Sequence, residues 1–93
     1  MEIVVDWKQI ETEDDFYDMF LPQVKAPEWH GRNLDALTDS VVTGDINSIE
    51  PPYTIHSINS GGAPEHIVEF QLKVLATFNE GAVENRGIKV VTE

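Results

Sequence analysis

Three short segments with strand character are separated along this chain by helical stretches rather than by hairpin turns. Residues 2–6 contain a β-branched apolar run, residues 53–58 alternate in part, and residues 88–91 read Ile-Lys-Val-Val. Strands that are joined by helical crossovers pair in parallel. The spacing therefore predicts an α/β fold: a single compact domain over residues 1–93, with a small three-stranded parallel sheet packed with helices in the order β-α-α-β-α-β.

The first helix is predicted over residues 13–24. It follows residues 12–15 (Thr-Glu-Asp-Asp), where a hydroxyl and a carboxylate three positions later are typical of a capping box. Apolar residues then recur at helical spacing. Pro22 lacks an N–H and its ring crowds the preceding turn, so we expect it to disturb the last turn of this helix.

Two further helices are predicted, over residues 34–43 and 66–84. Asn33 is a favourable N-cap for the first of them, and Gly44 is placed to end it. The other has the longest helical pattern in the chain, and Gly81 is expected to weaken its last turn.

The charge of the chain restricts its partners. Seventeen acidic residues against six basic ones give a formal net charge of −11. A nucleic-acid surface needs clustered Lys and Arg, and an anionic membrane repels an acidic protein, so we expect neither as a partner. The same charge suits a basic protein and accelerates association with it.

The absence of cysteine excludes disulfides, thiolate nucleophiles and cysteine-based metal sites. The first six residues have neither a basic region nor a long apolar run, so we expect no signal peptide. No stretch approaches the ~20 apolar residues of a membrane-spanning helix. We therefore expect a soluble protein that is made where it works, and the lack of cysteine fits the cytoplasm. We also expect no cofactor, no metal and a monomeric free state.

Signatures of catalysis are scarce. The sequence has no Walker loop, no G-x-S-x-G motif and no G-x-G-x-x-G motif after the first strand, and its three histidines form no H-x-x-x-H pair. His30 follows Trp29 in an exposed-looking loop and is interpreted as a surface or interface histidine rather than a general base. We expect His56 to be structural and His66 to be solvated.

Asp35 and Asp39 lie one turn apart on the second predicted helix. Carboxylates at this spacing repel each other, and Asp is a poor helix former. Asp39 therefore lowers the stability of the helix, and no neighbouring feature of the sequence offsets this loss. From the residues alone, both a solvated acidic face and an enzyme or metal site built on the pair stay open.

One uninterrupted motif runs over residues 27–39: Pro-Glu-Trp-His-Gly-Arg-Asn-Leu-Asp-Ala-Leu-Thr-Asp. It closely resembles the pattern of the barstar-like family, whose members are intracellular inhibitors of a secreted bacterial ribonuclease. His30 and Thr38 depart from that pattern, since aromatic residues are usual at both positions. The resemblance extends weakly along the chain, with residues 78–80 on the family's F-x-E pattern. Residues 57–63 lack the apolar residues of a short helix found in the family, so we expect a loop there.

The resemblance implies a one-to-one protein inhibitor and not an enzyme. In this family the second helix and the loop before it block the ribonuclease active site, and acidic side chains occupy the places of RNA phosphates. Asp35 and Asp39 would thus be phosphate mimics, and Trp29 would pack on the partner. The implied partner-binding residues are Trp29, His30, Asp35, Thr38, Asp39, Thr43, Gly44 and Glu80.

Two hypotheses follow, and they differ in the partner. The first is a bacterial ribonuclease inhibitor, or an immunity protein (an antitoxin) against a ribonuclease toxin. In the second, the same fold binds a different basic protein or toxin by acidic mimicry, because Thr38 and His30 replace aromatic residues that normally contact the ribonuclease.

Overall fold

The structure is a computed structural model that describes residues 1–43, 49–84 and 87–93. Its strands are β1 (Glu2–Asp6), β2 (Tyr53–Ile58) and β3 (Ile88–Thr92). Its helices are α1 (Glu13–Gln23), α2 (Leu34–Thr38), which continues as a π-helical turn (Asp39–Thr43), and α3 (Val68–Glu84). Short 3-10 turns cover Trp7–Gln9, Ser60–Gly62 and Glu65–Ile67. The predicted order β-α-α-β-α-β is confirmed.

The sheet has the order β1-β2-β3, and both pairs of strands are parallel, as predicted. Ile3 pairs with Ile55, and Ile55 with Val90. Buried residues alternate with more exposed ones along β1 and β2, so one face of the sheet packs on the helices. Among the described residues, no helix combines the length and apolar character needed to cross a membrane.

An aromatic cluster forms the centre of the core. The Phe16 ring stacks on Trp7 and on Phe20, with ring centroids 5.9 and 5.4 Å apart, and meets Phe70 of α3 edge-on at 5.6 Å. Each of these side chains is buried. Burial of each ring stabilises the fold by about 1.5–3 kcal/mol, and this cluster fixes α1 against α3.

The predicted capping box begins α1. The Thr12 hydroxyl accepts a hydrogen bond from the Asp15 amide at 3.1 Å, and the Asp15 carboxylate accepts one from the Thr12 amide at 3.1 Å. These reciprocal bonds satisfy two of the amides that a helix start leaves without partners.

The last turn of α1 closes around Pro22, and the helix ends at Gln23, one residue before the predicted limit. The amide of Ala26 donates to the Leu21 carbonyl at 3.1 Å, and the amide of Lys25 donates to the Pro22 carbonyl at 3.2 Å. This is a Schellman motif. Its left-handed position, with φ 55°, is held by Lys25 rather than by a glycine.

Side chains of α1 also cover the outer edge of β1. The Gln23 amide donates to the Val4 carbonyl at 2.7 Å and accepts from the Val4 amide at 2.8 Å, as a neighbouring strand would. The Asp6 amide donates to the Met19 sulfur at 3.2 Å. The edge of the sheet is thus paired by side chains.

Three further predicted boundaries need adjustment. The predicted helix over 34–43 is α-helical only to Thr38, because the backbone then widens into the π-helical turn. α3 begins at Val68, since the residues that follow Pro64 form a 3-10 turn first. β3 extends one residue beyond the prediction, to Thr92.

The segment predicted as a loop, residues 57–63, is more ordered than expected. Its first two residues complete β2, and Ser60–Gly62 forms a 3-10 turn. The Gly62 amide donates to the Asn59 carbonyl at 2.8 Å, which closes this turn without any apolar side chain. The predicted helix end at Gly44 lies outside the described residues.

Candidate protein-binding surface

The loop of residues 27–33 is attached to α1 by Arg32. Its guanidinium donates to the Asp18 carboxylate at 2.7 Å and to the Asp14 carboxylate at 3.3 Å, and it lies 5.8 Å from the centre of the Tyr17 ring. The hydrogen bond to Asp18 raises the pKa of Arg32 above its ordinary value. Exposed ion pairs add little stability, so their main effect is to hold the loop in register with α1.

The same loop joins α2 through a close backbone approach and a helix cap. The Asn33 side chain accepts a hydrogen bond from the Ala36 amide at 2.8 Å, as the predicted N-cap. A Cβ atom added to Gly31 would lie 2.9 Å from the Ala36 Cβ, so only glycine permits this approach without a shift. Leu37 is fully buried and anchors α2 in the core.

His30 is buried, with only 5% of its surface exposed, so the prediction of an exposed position is wrong. The amide of His30 donates to the Pro27 carbonyl at 3.0 Å, and this turn directs the ring inward. Its Nδ1 lies 2.7 Å from the Gly31 carbonyl oxygen, and its Nε2 lies 2.5 Å from the Ser40 hydroxyl oxygen. The imidazole therefore links the loop to the π-helical turn from beneath the surface.

Trp29 is the large exposed side chain of this surface, with 65% of its area accessible. The other tryptophan, Trp7, is buried in the core and donates to the Ser57 hydroxyl at 2.8 Å. Tryptophan on a surface is enriched among residues that dominate protein–protein binding. The exposed indole stands on a loop that is fixed on both sides.

The two predicted phosphate mimics lie on one continuous helical segment. Asp35 is exposed in the first turn of α2, where the helix dipole favours a carboxylate. Asp39 is half-buried and starts the π-helical turn. Thr38, between them, is half-buried, and its hydroxyl donates to the Leu34 carbonyl at 2.8 Å.

Glu80 lies on α3, next to Gly81. A Cβ atom added to Gly81 would collide with the Val41 side chain and lie 2.8 Å from the Val41 carbonyl oxygen. This contact brings the end of α3, where Glu80 is exposed, against the π-helical turn. Thr43 is exposed at the end of that turn.

The structure thus places Trp29, Asp35, Thr38, Asp39 and Thr43 on one stretch of chain, with Glu80 on the helix packed behind it. His30 lies beneath this surface, and Gly44 falls outside the described residues. Sequence reasoning missed two supporting residues, Ser40 and Gly81. The only local signal was that Ser40 follows Ala36 by four positions, a spacing at which a serine hydroxyl can bond the helix backbone.

The remaining histidines lie away from this surface. The half-buried His56 contacts the Glu2 carboxylate across β1 and β2 at 2.6 Å, which agrees with its predicted structural role. That hydrogen bond lowers the pKa of Glu2. His66 is exposed, as predicted, and lies 2.6 Å from the Glu11 carbonyl oxygen. In the described part of the chain, no group of three or more metal-ligating side chains is arranged to hold a metal ion.

Comparison with known families agrees with the motif of residues 27–39. A family model described as barstar (barnase inhibitor) matches residues 1–92. The match therefore includes the loop, α2, the π-helical turn and α3. No curated protein matches the chain.

Proposed function

The chain belongs to the barstar family, and from this premise we propose that it inhibits a basic ribonuclease by covering the active site. Members of this family are inhibitors rather than enzymes, and their protein partner is a barnase-like ribonuclease. The finer proposal is that Asp35 and Asp39 take the places of RNA phosphates, with Asp39 facing the catalytic cations. Trp29, Thr38, Thr43, Gly44 and Glu80 would complete the contact surface.

The observation that carries this proposal is the exposed Trp29 on an anchored loop that leads into a helical segment with two carboxylates, the exposed Asp35 and the half-buried Asp39. A ribonuclease site must hold polyanions and is therefore rich in Arg, Lys and His. Successive turns of a helix are separated by about 5.4 Å, which is close to the spacing of neighbouring phosphates. Because the helix is anchored by Leu37 and the loop by Arg32, little conformational entropy is lost on binding.

The net charge of −11 supports the same partner. Mutual repulsion of the two carboxylates weakens when a cation cluster faces them, which favours a basic partner. We further propose a one-to-one complex, a monomer when free, and action in the bacterial cytoplasm, either as protection from the cell's own enzyme or as immunity against a ribonuclease toxin.

The test is inhibition of RNA cleavage by a panel of basic microbial ribonucleases that includes barnase. We expect inhibition to be complete at one equivalent of protein and association to slow as salt is added. Asp39→Asn should weaken binding by about 2–5 kcal/mol, a range that rests partly on measurements of barnase–barstar itself.

Glu69→Gln on α3 is the matched control. It removes the same charge from an exposed residue whose carboxylate lies 3.4 Å from the Lys73 ammonium and which is not among the proposed contact residues. Its affinity should stay within about threefold of the original, or less than 1 kcal/mol. Equal weakening by the two variants would show that only net charge matters and would contradict the phosphate-mimic role.

A second candidate function is binding of a different basic protein. Thr38 favours it, because this position has a short side chain whose hydroxyl donates to the Leu34 carbonyl, where the family usually has an aromatic ring. If no ribonuclease of the panel is inhibited, the ribonuclease proposal fails and this alternative replaces it.

A further inference from the structure

The buried His30 ring makes two short polar contacts whose protons can be assigned. A carbonyl oxygen can only accept, so the 2.7 Å contact with Gly31 requires a proton on Nδ1. The alternative tautomer would place a lone pair of Nδ1 against the oxygen lone pairs. His30 is therefore held with Nδ1 protonated, whatever the state of Nε2.

Ser40 completes the arrangement on the other side of the ring. Its hydroxyl oxygen lies 2.5 Å from Nε2 of His30 and 3.1 Å from the Ala36 carbonyl oxygen. With neutral imidazole, the hydroxyl donates to Nε2. With imidazolium, Nε2 donates to the hydroxyl oxygen, and the hydroxyl rotates so that it donates to the Ala36 carbonyl. The link between His30 and Ser40 is thus preserved in both states.

This link joins the immediate neighbours of two proposed contact residues. His30 directly follows Trp29, and Ser40 directly follows Asp39. Both linking side chains are buried, His30 with 5% and Ser40 with 3% of their surface exposed, so a partner protein would touch Trp29 and Asp39 and not the link itself. Hydrogen bonds between buried groups resist opening, because an opened pair leaves polar atoms without partners.

We propose that His30 and Ser40 are positioning residues that fix Trp29 relative to Asp39 before the partner arrives. The effect on binding rests on the proposed function, whereas the ordering of the loop does not. His30 thus takes a different role from the partner contact that the resemblance implies. A partner must contact Trp29 and Asp39 at the same time. The link therefore sets the distance at which the partner's cation cluster and apolar surface must lie from each other.

The experiment has one arm that needs no partner. Nitrogen-15 NMR of the histidine rings should find Nδ1 of His30 protonated in the full chain. Relaxation at the Trp29 backbone amide should give an order parameter of about 0.85, typical of rigid backbone. His30→Phe, which keeps a ring of similar shape, and Ser40→Ala should each lower it towards about 0.6.

The second arm measures binding kinetics with catalytically inactive barnase as the probe. Each variant should raise the dissociation rate about tenfold and change the association rate by less than about threefold. The double variant should be no worse than either single one, since both remove the same link. His66→Phe and Ser60→Ala are matched controls, because these side chains bond to the backbone carbonyls of Glu11 and Glu93, which are not among the proposed contact residues. Both variants should behave like the original protein.

Three results would overturn the proposal: an unprotonated Nδ1, unchanged order at Trp29 in both variants, or effects of the two substitutions that multiply. Circular dichroism establishes that each variant is folded, and Ser40→Ala keeps the test decisive if the larger His30→Phe change disturbs the core. If the original protein does not bind barnase, the proposed function fails for this enzyme, while the NMR arm still decides whether the link exists.

Discussion

Replacing Gly81 by alanine measures how closely α3 packs on the π-helical turn. The added Cβ would collide with the Val41 side chain and lie 2.8 Å from the Val41 carbonyl oxygen, closer than real Cβ atoms approach. A rotamer change can move the side chain but not the backbone oxygen, so the helix or the turn must shift. Such overpacking costs about 1–3 kcal/mol. Alanine offsets about 1 kcal/mol of this cost as the better helix former, so we expect a net loss of up to about 2 kcal/mol.

Urea denaturation followed by circular dichroism gives this value from the shift of the midpoint at constant slope. Gly61→Ala is the matched control, because nothing lies within 4 Å of the added Cβ at that position. In a Val41→Ala background, Gly81→Ala should cost less than it does in the original protein but should still destabilise, since the contact with the Val41 carbonyl persists. If Gly81→Ala stabilises the protein by about 1 kcal/mol, helix propensity alone governs the site and the packing argument is refuted.

Two predictions concern pH. Burial raises the pKa of both Tyr17 and Tyr53, the two tyrosines of the sequence, to about 12. Ultraviolet titration of the native protein should therefore show no phenolate near pH 10. The contribution of these hydroxyls to stability is complete below about pH 10 and is lost as the pH rises towards 12. The hydrogen bond from His56 lowers the pKa of Glu2 below 4.5, so the contribution of this pair to stability is present above pH 4.5 and is lost as the pH falls through the lowered value. The difference in melting temperature between the original protein and Glu2→Gln should therefore disappear in acid. A difference that grows in acid would contradict the assignment.

Local patterns predicted the elements of this fold well. The capping box at Thr12 and the N-cap at Asn33 are formed by residues within three positions of their partners, so the sequence contains the whole interaction. The parallel sheet was predicted from the helical crossovers, because a helix that connects two strands of one sheet leaves few ways for those strands to pair. The N-cap at Asn33 and the helical apolar spacing likewise placed Asp35 and Asp39 on one helical segment.

Contacts between distant segments explain what local patterns missed. The burial of His30 depends on Ser40, ten positions later, and on the turn that begins at Pro27. Gly81 was interpreted through helix propensity alone, whereas its surroundings include Val41 on another element. The π-helical turn was also missed, because Leu34, Leu37 and Val41 fit the apolar spacing of an α-helix.

The pairing of Gln23 with Val4 has a consequence for the behaviour of the protein at high concentration. An open parallel sheet can grow by adding a strand from another molecule, and its edge is then a starting point for aggregation. The side-chain amide already occupies the amide and carbonyl that such a strand would need on β1. Gln23 therefore protects the β1 edge of the sheet from polymerisation, and the fold needs no additional strand to cover that edge.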